Sequence, residues 1–336
     1  MSSAPTADEI ARDATWLAQA LDPTAGDVRL VAMDGVSYRT ASFLDDRMLQ
    51  QPVDAQIVPW TLIEEAMGGD LRNDARWIFH IGHVGSTLVS RLIGELPEVL
   101  AIREPRLLRD LAMTPPEIRE RYLPPVPKLM SRTFAADERA CVKATSFASE
   151  IAGEFAPPGE RALFMYARPR NYIGSILAGE NSLVELRMLA ESRAQRMQTR
   201  VQGLPQPQTN ADLAAAAWAC EMTALEAAAE AMPDRRIDWA DFDRMLDNME
   251  SALGRIAEFF GFDATPDQLS AITAGPLMTR YSKALEYDYS AALRRDLIAE
   301  QIAAHGREID SALAMLGAAA EKSALLTRAL ARCGED

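Results

Sequence analysis

The sequence predicts an α/β protein in which a central parallel sheet is flanked by helices. From Arg76 onward, short apolar runs alternate with longer helical stretches, which is the pattern of a parallel sheet with crossover helices. The chain has 336 residues, of which 48% are hydrophobic, so it can bury a large core. The predicted strands cover residues 77–81, 99–102, 140–144, 162–167 and 235–239.

Helices are predicted between and after these strands. Residues 180–232 read as helical, and a second helical series over 243–260 is expected to stop at Gly261. The proline-rich segment 115–128 is predicted to be an irregular connection.

The first 73 residues are predicted to form a helix and a hairpin packed onto the main domain, which spans 74–336. Thr6 and Glu9 have the spacing of a capping box, and Ile10, Leu17 and Leu21 can share one face of the helix that follows. Asp34-Gly35 stands between two short strand-like runs, which indicates a hairpin turn.

Composition excludes several classes of protein. The net charge of −14 argues against a general nucleic-acid binder and against adhesion to an anionic membrane. The N-terminus lacks a basic segment followed by an apolar run, and no apolar stretch reaches about 18 residues, so we expect a soluble cytoplasmic protein. The three cysteines are far apart without a CxxC spacing, which favours small buried side chains over a disulfide framework or a zinc site.

The segment from Gly82 to Thr87 is the strongest candidate for a binding site. It joins an apolar strand to a helix, so free backbone N–H groups and the positive end of the helix dipole point at one place. Gly82 and Gly85 permit close approach of an oxyanion, and the hydroxyls of Ser86 and Thr87 add donors. The pattern GxxxxGK[ST] requires a lysine where Gly85 stands, which disfavours magnesium-dependent ATP or GTP hydrolysis.

Two of the three histidines, His80 and His83, flank this loop. For His80 we favour packing within the strand. For His83, a hydrogen-bonding role within the loop and a role in chemistry both stay open.

The loop residues His83-Val84-Gly85-Ser86-Thr87 resemble the 5′-phosphosulfate loop of the sulfotransferase superfamily, (K/R)-x-G-(T/S)-(T/S), with histidine in place of the basic residue. Further along, LPEVLAIREPRLL resembles the family's second strand and the acidic residue after it. That resemblance makes Glu104 a candidate catalytic base, with an ion pair to Arg103 or Arg106 as the alternative.

Later segments resemble the same family in the same order. ACVKATS places Lys143 at the edge of the cleft. ALFMYARPRNYIGSIL resembles the 3′-phosphate signature, which implies Arg168 and Ser175 as ligands and leaves Arg170 as an alternative to Arg168. TRYSKALEYDYS offers Arg280, Lys283 and the aromatic Tyr281 where the family has a basic loop near the 3′-phosphate, although a solvated charged loop explains that segment too.

The resemblance covers about residues 76 to 290 and implies a three-layer, P-loop-type fold. It implies 3′-phosphoadenosine 5′-phosphosulfate (PAPS) as co-substrate and transfer of a sulfuryl group to a hydroxyl or amine of a small-molecule or peptide acceptor. In that reaction His83 would donate to the bridging oxygen, Glu104 would accept the acceptor's proton, and no metal would be needed.

Two other functions stay open at the level of sequence. One is an ATP-dependent phosphotransferase with an atypical loop, and the other is a nucleotide-binding protein without catalysis. The alanine- and leucine-rich faces of 180–232 fit core packing or the interface of a homodimer.

Overall fold

The computed structural model describes residues 4–280 and 290–334. Its strands are β1 (Trp16–Asp22), β2 (Asp27–Ala32), β3 (Ala55–Pro59), β4 (Arg76–His80), β5 (Val99–Arg103), β6 (Arg139–Lys143), β7 (Arg161–Tyr166) and β8 (Arg236–Asp241).

The helices of the first half are α1 (Ala7–Arg12), α2 (Gly35–Thr40), α3 (Trp60–Ala66), α4 (Ser86–Ile93), α5 (Arg106–Met113), α6 (Pro116–Arg119), α7 (Val126–Met130) and α8 (Ala152–Phe155). Those that follow are α9 (Pro169–Leu177), α10 (Glu180–Met188), α11 (Ala190–Met197), α12 (Asn210–Ala231), α13 (Phe242–Asp247), α14 (Met249–Phe260), α15 (Pro266–Thr273), α16 (Ala291–Ala320) and α17 (Ala324–Cys333).

The main sheet has five parallel strands in the order β5-β6-β4-β7-β8, flanked by helices, as the sequence predicts. All five predicted strands are present, with bounds that differ from the prediction by one or two residues. Strand β4 is central and buried along its whole length, because both of its faces are covered. Ligands of such sheets bind outside the carboxyl ends of the strands, where β4 leads into the Gly82–Thr87 loop.

Aromatic side chains fill the core beside β4. The rings of Trp77 and Phe79 lie 5.9 Å apart, and Phe79 meets Phe164 of the neighbouring strand edge-to-face at 5.7 Å. Each fully buried aromatic side chain contributes about 1.5–3 kcal/mol to stability. This packing fixes the strand from which the loop departs.

The N-terminal residues form a second sheet, which is antiparallel and has the order β1-β2-β3. The capping box on Thr6 is present, but α1 ends at Arg12, so the prediction that Leu17 and Leu21 share its face is wrong. Both leucines belong to β1, where the apolar spacing serves a buried strand instead.

The hairpin predicted at Asp34-Gly35 is also wrong. Asp34 caps α2, its carboxylate accepting from the backbone N–H of Ser37 at 2.7 Å, and Gly35 lacks the positive φ that a tight hairpin turn requires. The hairpin lies earlier in the chain, between β1 and β2. Aspartate followed by glycine suits a turn and a helix start equally well, which explains the error.

Two buried arginines, one at the end of β5 and one between α7 and β6, join this segment to the main domain. Arg103 at the end of β5 donates to the backbone carbonyls of Tyr38 and Ala41, the latter at 2.8 Å. Arg132 donates to the carbonyls of Ile10 at 2.5 Å and Trp16 at 2.7 Å. The two sheets therefore share one continuous core.

The structure also has helices in the two ranges where they are predicted. Residues 180–232 contain α10, α11 and α12, and Asn248 divides the later series into α13 and α14 by capping α14. Gly261 ends that series with a φ of +75°. All three cysteines are buried, as predicted. In the described part of the chain, no helix is long and apolar enough to cross a membrane.

Candidate functional site

A cavity of about 400 Å³ opens at the carboxyl ends of the strands, directly over the Gly82–Thr87 loop. Its walls come from the loop itself, from the N-terminal segment and from the later helices. Of the residues predicted from sequence, the cavity is lined by Gly82, His83, Gly85, Ser86, Thr87, Glu104, Ser175 and Arg280. Further lining residues were not predicted, chiefly Phe43, Arg47, His80, Thr145, Phe242 and Arg294.

The loop backbone is curled by three positive φ angles, +77° at Gly82, +54° at His83 and +63° at Gly85. Gly85 is the N-cap of α4 and offers no side-chain cap, so the first N–H groups of the helix are left for a ligand. A Cβ at Gly85 would lie 1.9 Å from the ring of Phe242, so this position requires glycine for space as well as for conformation.

Thr87 presents a polar atom with no protein partner. It is 2% exposed, it lines the cavity, and its Oγ1 makes no hydrogen bond within the described chain. An unsatisfied buried hydroxyl costs about 1–3 kcal/mol, so its retention beside a helix N-terminus points to a ligand acceptor. Ser90, one turn further into α4, is also buried without a partner, but it is not among the lining residues.

Glu104 follows β5, and its carboxylate forms an ion pair with Lys143 at the end of the neighbouring β6. Burial opposes ionisation of Glu104, but the charge of Lys143 and a contact from His80 outweigh it and hold the pKa of the carboxyl well below its usual range. Glu104 is therefore ionised at neutral pH. Its φ of +54° is uncommon for a residue with a side chain.

The ion pairs considered for Glu104 from sequence, to Arg103 or Arg106, are not the ones observed. Arg103 points to carbonyls of the N-terminal segment, and Arg106 pairs with Asp46 and Asp110. Lys143 is the ion-pair partner of Glu104 instead. The parallel pairing of β5 with β6 sets Arg103 opposite Lys143, and the backbone N–H of the next residue, Glu104, donates to the Lys143 carbonyl at 2.7 Å.

His80 lies in the site rather than only in the strand core. It is the last residue of β4, its Nδ1 accepts from the backbone N–H of Gly82 at 2.9 Å, and its Nε2 lies 3.7 Å from Oε1 of Glu104. A sequence signal existed, because the residue that ends a central parallel strand faces the ligand crevice.

His83 turns toward α10. Its Nδ1 lies 3.5 Å from the hydroxyl of Ser182, and its Nε2 lies 3.6 Å from a carboxylate oxygen of Glu185. The ring also meets Tyr172 edge-to-face at 6.4 Å between centroids. His83 lines the cavity, and its two ring nitrogens lie next to a hydroxyl and a carboxylate of α10.

Three arginines line the cavity and supply positive charge. Arg47 belongs to the N-terminal segment and has Nη2 3.6 Å from Oε2 of Glu104. Arg294 of α16 pairs with Asp243 at 2.5 Å and lies over the Phe242 ring, 5.2 Å from its centroid. Arg280 ends the first described range, and the predicted Tyr281 and Lys283 lie outside the described residues.

The predicted 3′-phosphate ligands lie less favourably. Arg168 pairs with Asp241 at 3.2 Å, and it is not among the lining residues that the structure describes. Arg170 points to Asp310 at 2.7 Å. Ser175 lines the cavity, with its hydroxyl donating to the carbonyl of Tyr172 at 2.9 Å. In the described ranges no group of three His, Cys, Asp or Glu side chains is arranged to hold a metal ion.

No family model and no curated protein matches this chain. Among solved structures, it is similar to the sulfotransferase domain from the curacin biosynthetic pathway, with 13% identity and a TM-score of 0.43 over 67% of this chain and 87% of that one.

Two further similar structures are also sulfotransferases. Mouse sulfotransferase SULT7A1 complexed with PAP has 11% identity and a TM-score of 0.39, covering 78% of this chain and 90% of that one. The sulfotransferase domain of the Synechococcus PCC 7002 olefin synthase has 13% identity and a TM-score of 0.39, covering 69% and 89%.

Proposed function

We propose that this protein is a sulfotransferase-like enzyme that takes PAPS as sulfuryl donor and a hydroxyl or amine as acceptor. The observation that carries the proposal is the buried hydroxyl of Thr87, which has no protein partner and lies at the uncapped start of α4. An oxyanion at this place would satisfy both the hydroxyl and the free backbone N–H groups.

The residues present fit the phosphosulfate end of the donor. The left-handed turn at Gly82, His83 and Gly85 leaves the backbone open to close approach, and no side chain fills the space that a Cβ at Gly82 would enter. Of the three arginines that line the cavity, Arg47 faces Glu104, which leaves Arg280 and Arg294 for the 3′-phosphate. Arg168 is paired with Asp241 and is not among the described lining residues. We therefore assign the 3′-phosphate to Arg280 and Arg294 ahead of Arg168.

In the proposed reaction the bond between sulfur and the bridging phosphate oxygen breaks as a bond forms between sulfur and the acceptor oxygen or nitrogen. Glu104 is the candidate to take the acceptor's proton, since it is ionised and lines the cavity. Its depressed pKa makes it a weak base, so its contribution would come chiefly from position. His83 would donate to the leaving phosphate oxygen, and charge stabilisation by the loop would supply most of the catalysis.

The test uses the isosteric change Thr87→Val. We expect binding of 3′-phosphoadenosine 5′-phosphate (PAP), measured by calorimetry, to weaken about tenfold, which corresponds to one lost hydrogen bond of ~1.4 kcal/mol. The ligand-free variant should be as stable as the wild type or more so, because an unsatisfied hydroxyl is removed from the interior. Gain of stability with loss of affinity is the signature of a binding residue.

Ser90→Ala is the matched control, since Ser90 is a second buried hydroxyl of α4 without a partner. It should leave PAP affinity unchanged. Binding of ATP with magnesium but not of PAP would favour the phosphotransferase, and PAP binding without sulfuryl transfer to any acceptor would favour a protein without catalysis. Absence of binding by all of these nucleotides would refute the proposed site.

A further inference from the structure

We infer that His80 is a positioning residue that links the phosphate-binding loop to the carboxylate of Glu104, with its imidazole held as the Nε2–H tautomer. The roles given to its two partners, phosphate binding by the loop and proton acceptance by Glu104, rest on the proposed function. The tautomer and the two contacts rest on geometry alone.

The tautomer follows from the bond to Gly82. A backbone N–H can only donate, so Nδ1 of His80, which lies 2.9 Å from the nitrogen of Gly82, must carry a lone pair. The neutral imidazole then carries its proton on Nε2. His80 is 5% exposed, so bulk water offers little competition for either nitrogen.

The proton on Nε2 lies on the side of Glu104. Nε2 is 3.7 Å from Oε1, a separation of the kind that shortens when a catalytic site receives its substrate. Oε1 also takes the ion pair from Lys143, which is 1% exposed. The same oxygen thus faces two donors from β4 and β6.

These contacts give the two carboxylate oxygens of Glu104 different roles. Oε1 is held by Lys143 and faces His80, whereas Oε2 lies 3.6 Å from Arg47, a half-exposed residue that lines the cavity. In the proposed reaction, Oε2 is therefore the atom that takes the acceptor's proton. The proton passes from the acceptor oxygen to Oε2 as the new bond to sulfur forms and the bond from sulfur to the leaving phosphate breaks.

The two halves of this link can be separated by substitution. His80→Asn keeps a carbonyl oxygen near the place of Nδ1, so it can still accept from Gly82 but no longer reaches Glu104. His80→Gln keeps an N–H donor near the place of Nε2 and loses the acceptor for Gly82. The pair distinguishes positioning of the base from positioning of the loop.

The first measurement needs no ligand and no activity. The chain has three histidines, so long-range ¹H–¹⁵N spectra of the imidazoles can be assigned by the loss of one signal in His80→Asn. We expect His80 to show an unprotonated Nδ1 and a protonated Nε2 at neutral pH. A protonated Nδ1 would overturn the inference whether or not PAP binds.

The second measurement compares PAP affinity with the pH dependence of kcat. His80→Asn should hold PAP affinity within about twofold, lower kcat about tenfold, and move the acid limb of the kcat profile to higher pH, because a donor to the ionised carboxylate is lost. His80→Gln should keep the acid limb in place and weaken PAP binding about tenfold.

Equal effects of both variants on KM and kcat, with no shift of the acid limb, would reduce His80 to a packing residue and refute the inference. Failure of the wild type to bind PAP would refute the proposed function instead, and the tautomer of His80 would still be decided by the spectra.

Discussion

Among individual residues, His83 and Glu104 are distinguished by backbone conformation. They are the non-glycine residues of the described chain with a positive φ, +54° in both cases, and both line the cavity. A residue with a side chain in this region costs about 1–2 kcal/mol. Strain of this kind persists where the surrounding structure enforces it and concentrates at functional sites. Here it marks the two residues to which the proposal gives chemical roles.

Acidity provides a test of the Glu104 pair. The pKa of the carboxyl in the folded protein is held below the ordinary value of 4.5, because Lys143 and His80 outweigh burial. The ionised carboxylate therefore stabilises the fold above about pH 4.5, and this contribution is lost as pH falls toward the folded pKa. Glu104→Gln leaves Lys143 buried without an anion and should lower the free energy of unfolding by about 3–5 kcal/mol at pH 7.

The difference between wild type and Glu104→Gln should shrink as urea unfolding is followed from pH 7 down to about pH 3. Glu117→Gln, at an exposed glutamate, is the control and should change stability by less than about 0.5 kcal/mol. A difference for Glu104→Gln that stays constant over this range would show that the ion pair does not stabilise the folded state.

Sequence reasoning found some of these residues and missed others for a physical reason. The loop glycines and hydroxyls and Glu104 follow directly after strands, Lys143 is the last residue of a strand, and parallel strands bring their carboxyl ends together. Arg47 comes from a short 3-10 helix of the N-terminal segment and Arg294 from the late helix α16, so only tertiary packing places them in the cavity. Arg168 follows its strand as expected, but Asp241, 73 residues later, determines where it points.

Among the structural elements, the β4–α4 loop is constrained most tightly by the start of α13. Gly85 has a φ of +63°, and its Cα faces the Phe242 ring with no room for a methyl group. We expect Gly85→Ala to lower the free energy of unfolding by about 2–4 kcal/mol, the sum of a left-handed alanine and forced repacking of the ring. Chemical denaturation would measure it.

Gly82→Ala is the matched control in the same loop. Its φ of +77° carries the same conformational cost, but nothing lies within 4 Å of the added Cβ. It should lose only about 1 kcal/mol. Equal losses for the two variants would mean that the ring of Phe242 yields without cost.

The elements themselves differ in how far sequence could predict them. Strands β4 to β7 are buried along nearly all of their length and read as largely apolar runs, which is why they were placed to within two residues. Strand β8 was placed as closely, although it is only partly buried. In the N-terminal sheet, the strand-like run before Asp34 overlaps β2, but β1 was missed because Leu17 and Leu21 fit helical spacing as well as an extended strand. The strand β3, which pairs with β2, lies far along the chain, beyond any local pattern.

For the whole molecule, the question is whether residues 1–73 are an addition or part of one folding unit. Arg103 and Arg132 are buried and donate to carbonyls of that segment. Without it, two guanidinium groups would lose their acceptors, at a cost of several kcal/mol each. We expect a protein comprising residues 74–336 to show no cooperative thermal transition by circular dichroism, whereas the full chain unfolds in one transition.

Arg103→Met in the full chain tests the hydrogen bonds of Arg103 without removing residues 1–73. It should destabilise by at least ~2 kcal/mol, because the carbonyls of Tyr38 and Ala41 lose their donor. Arg244→Met, at a largely exposed arginine, is the control and should be near neutral. Cooperative unfolding of residues 74–336 would show instead that the main sheet is an independent unit.

The same two arginines set an order of events during synthesis. The segment up to Ala66 leaves the ribosome first, but the guanidinium groups that bind its carbonyls emerge only with Arg103 and Arg132. Strand β4 can pair with both of its neighbours, β6 and β7, only after β7, which follows residue 160, has been synthesised. The residues up to Ala66 are therefore expected to reach their final packing only after Arg132 has been synthesised, so nascent chains halted before Arg132 should expose them to protease and chaperone.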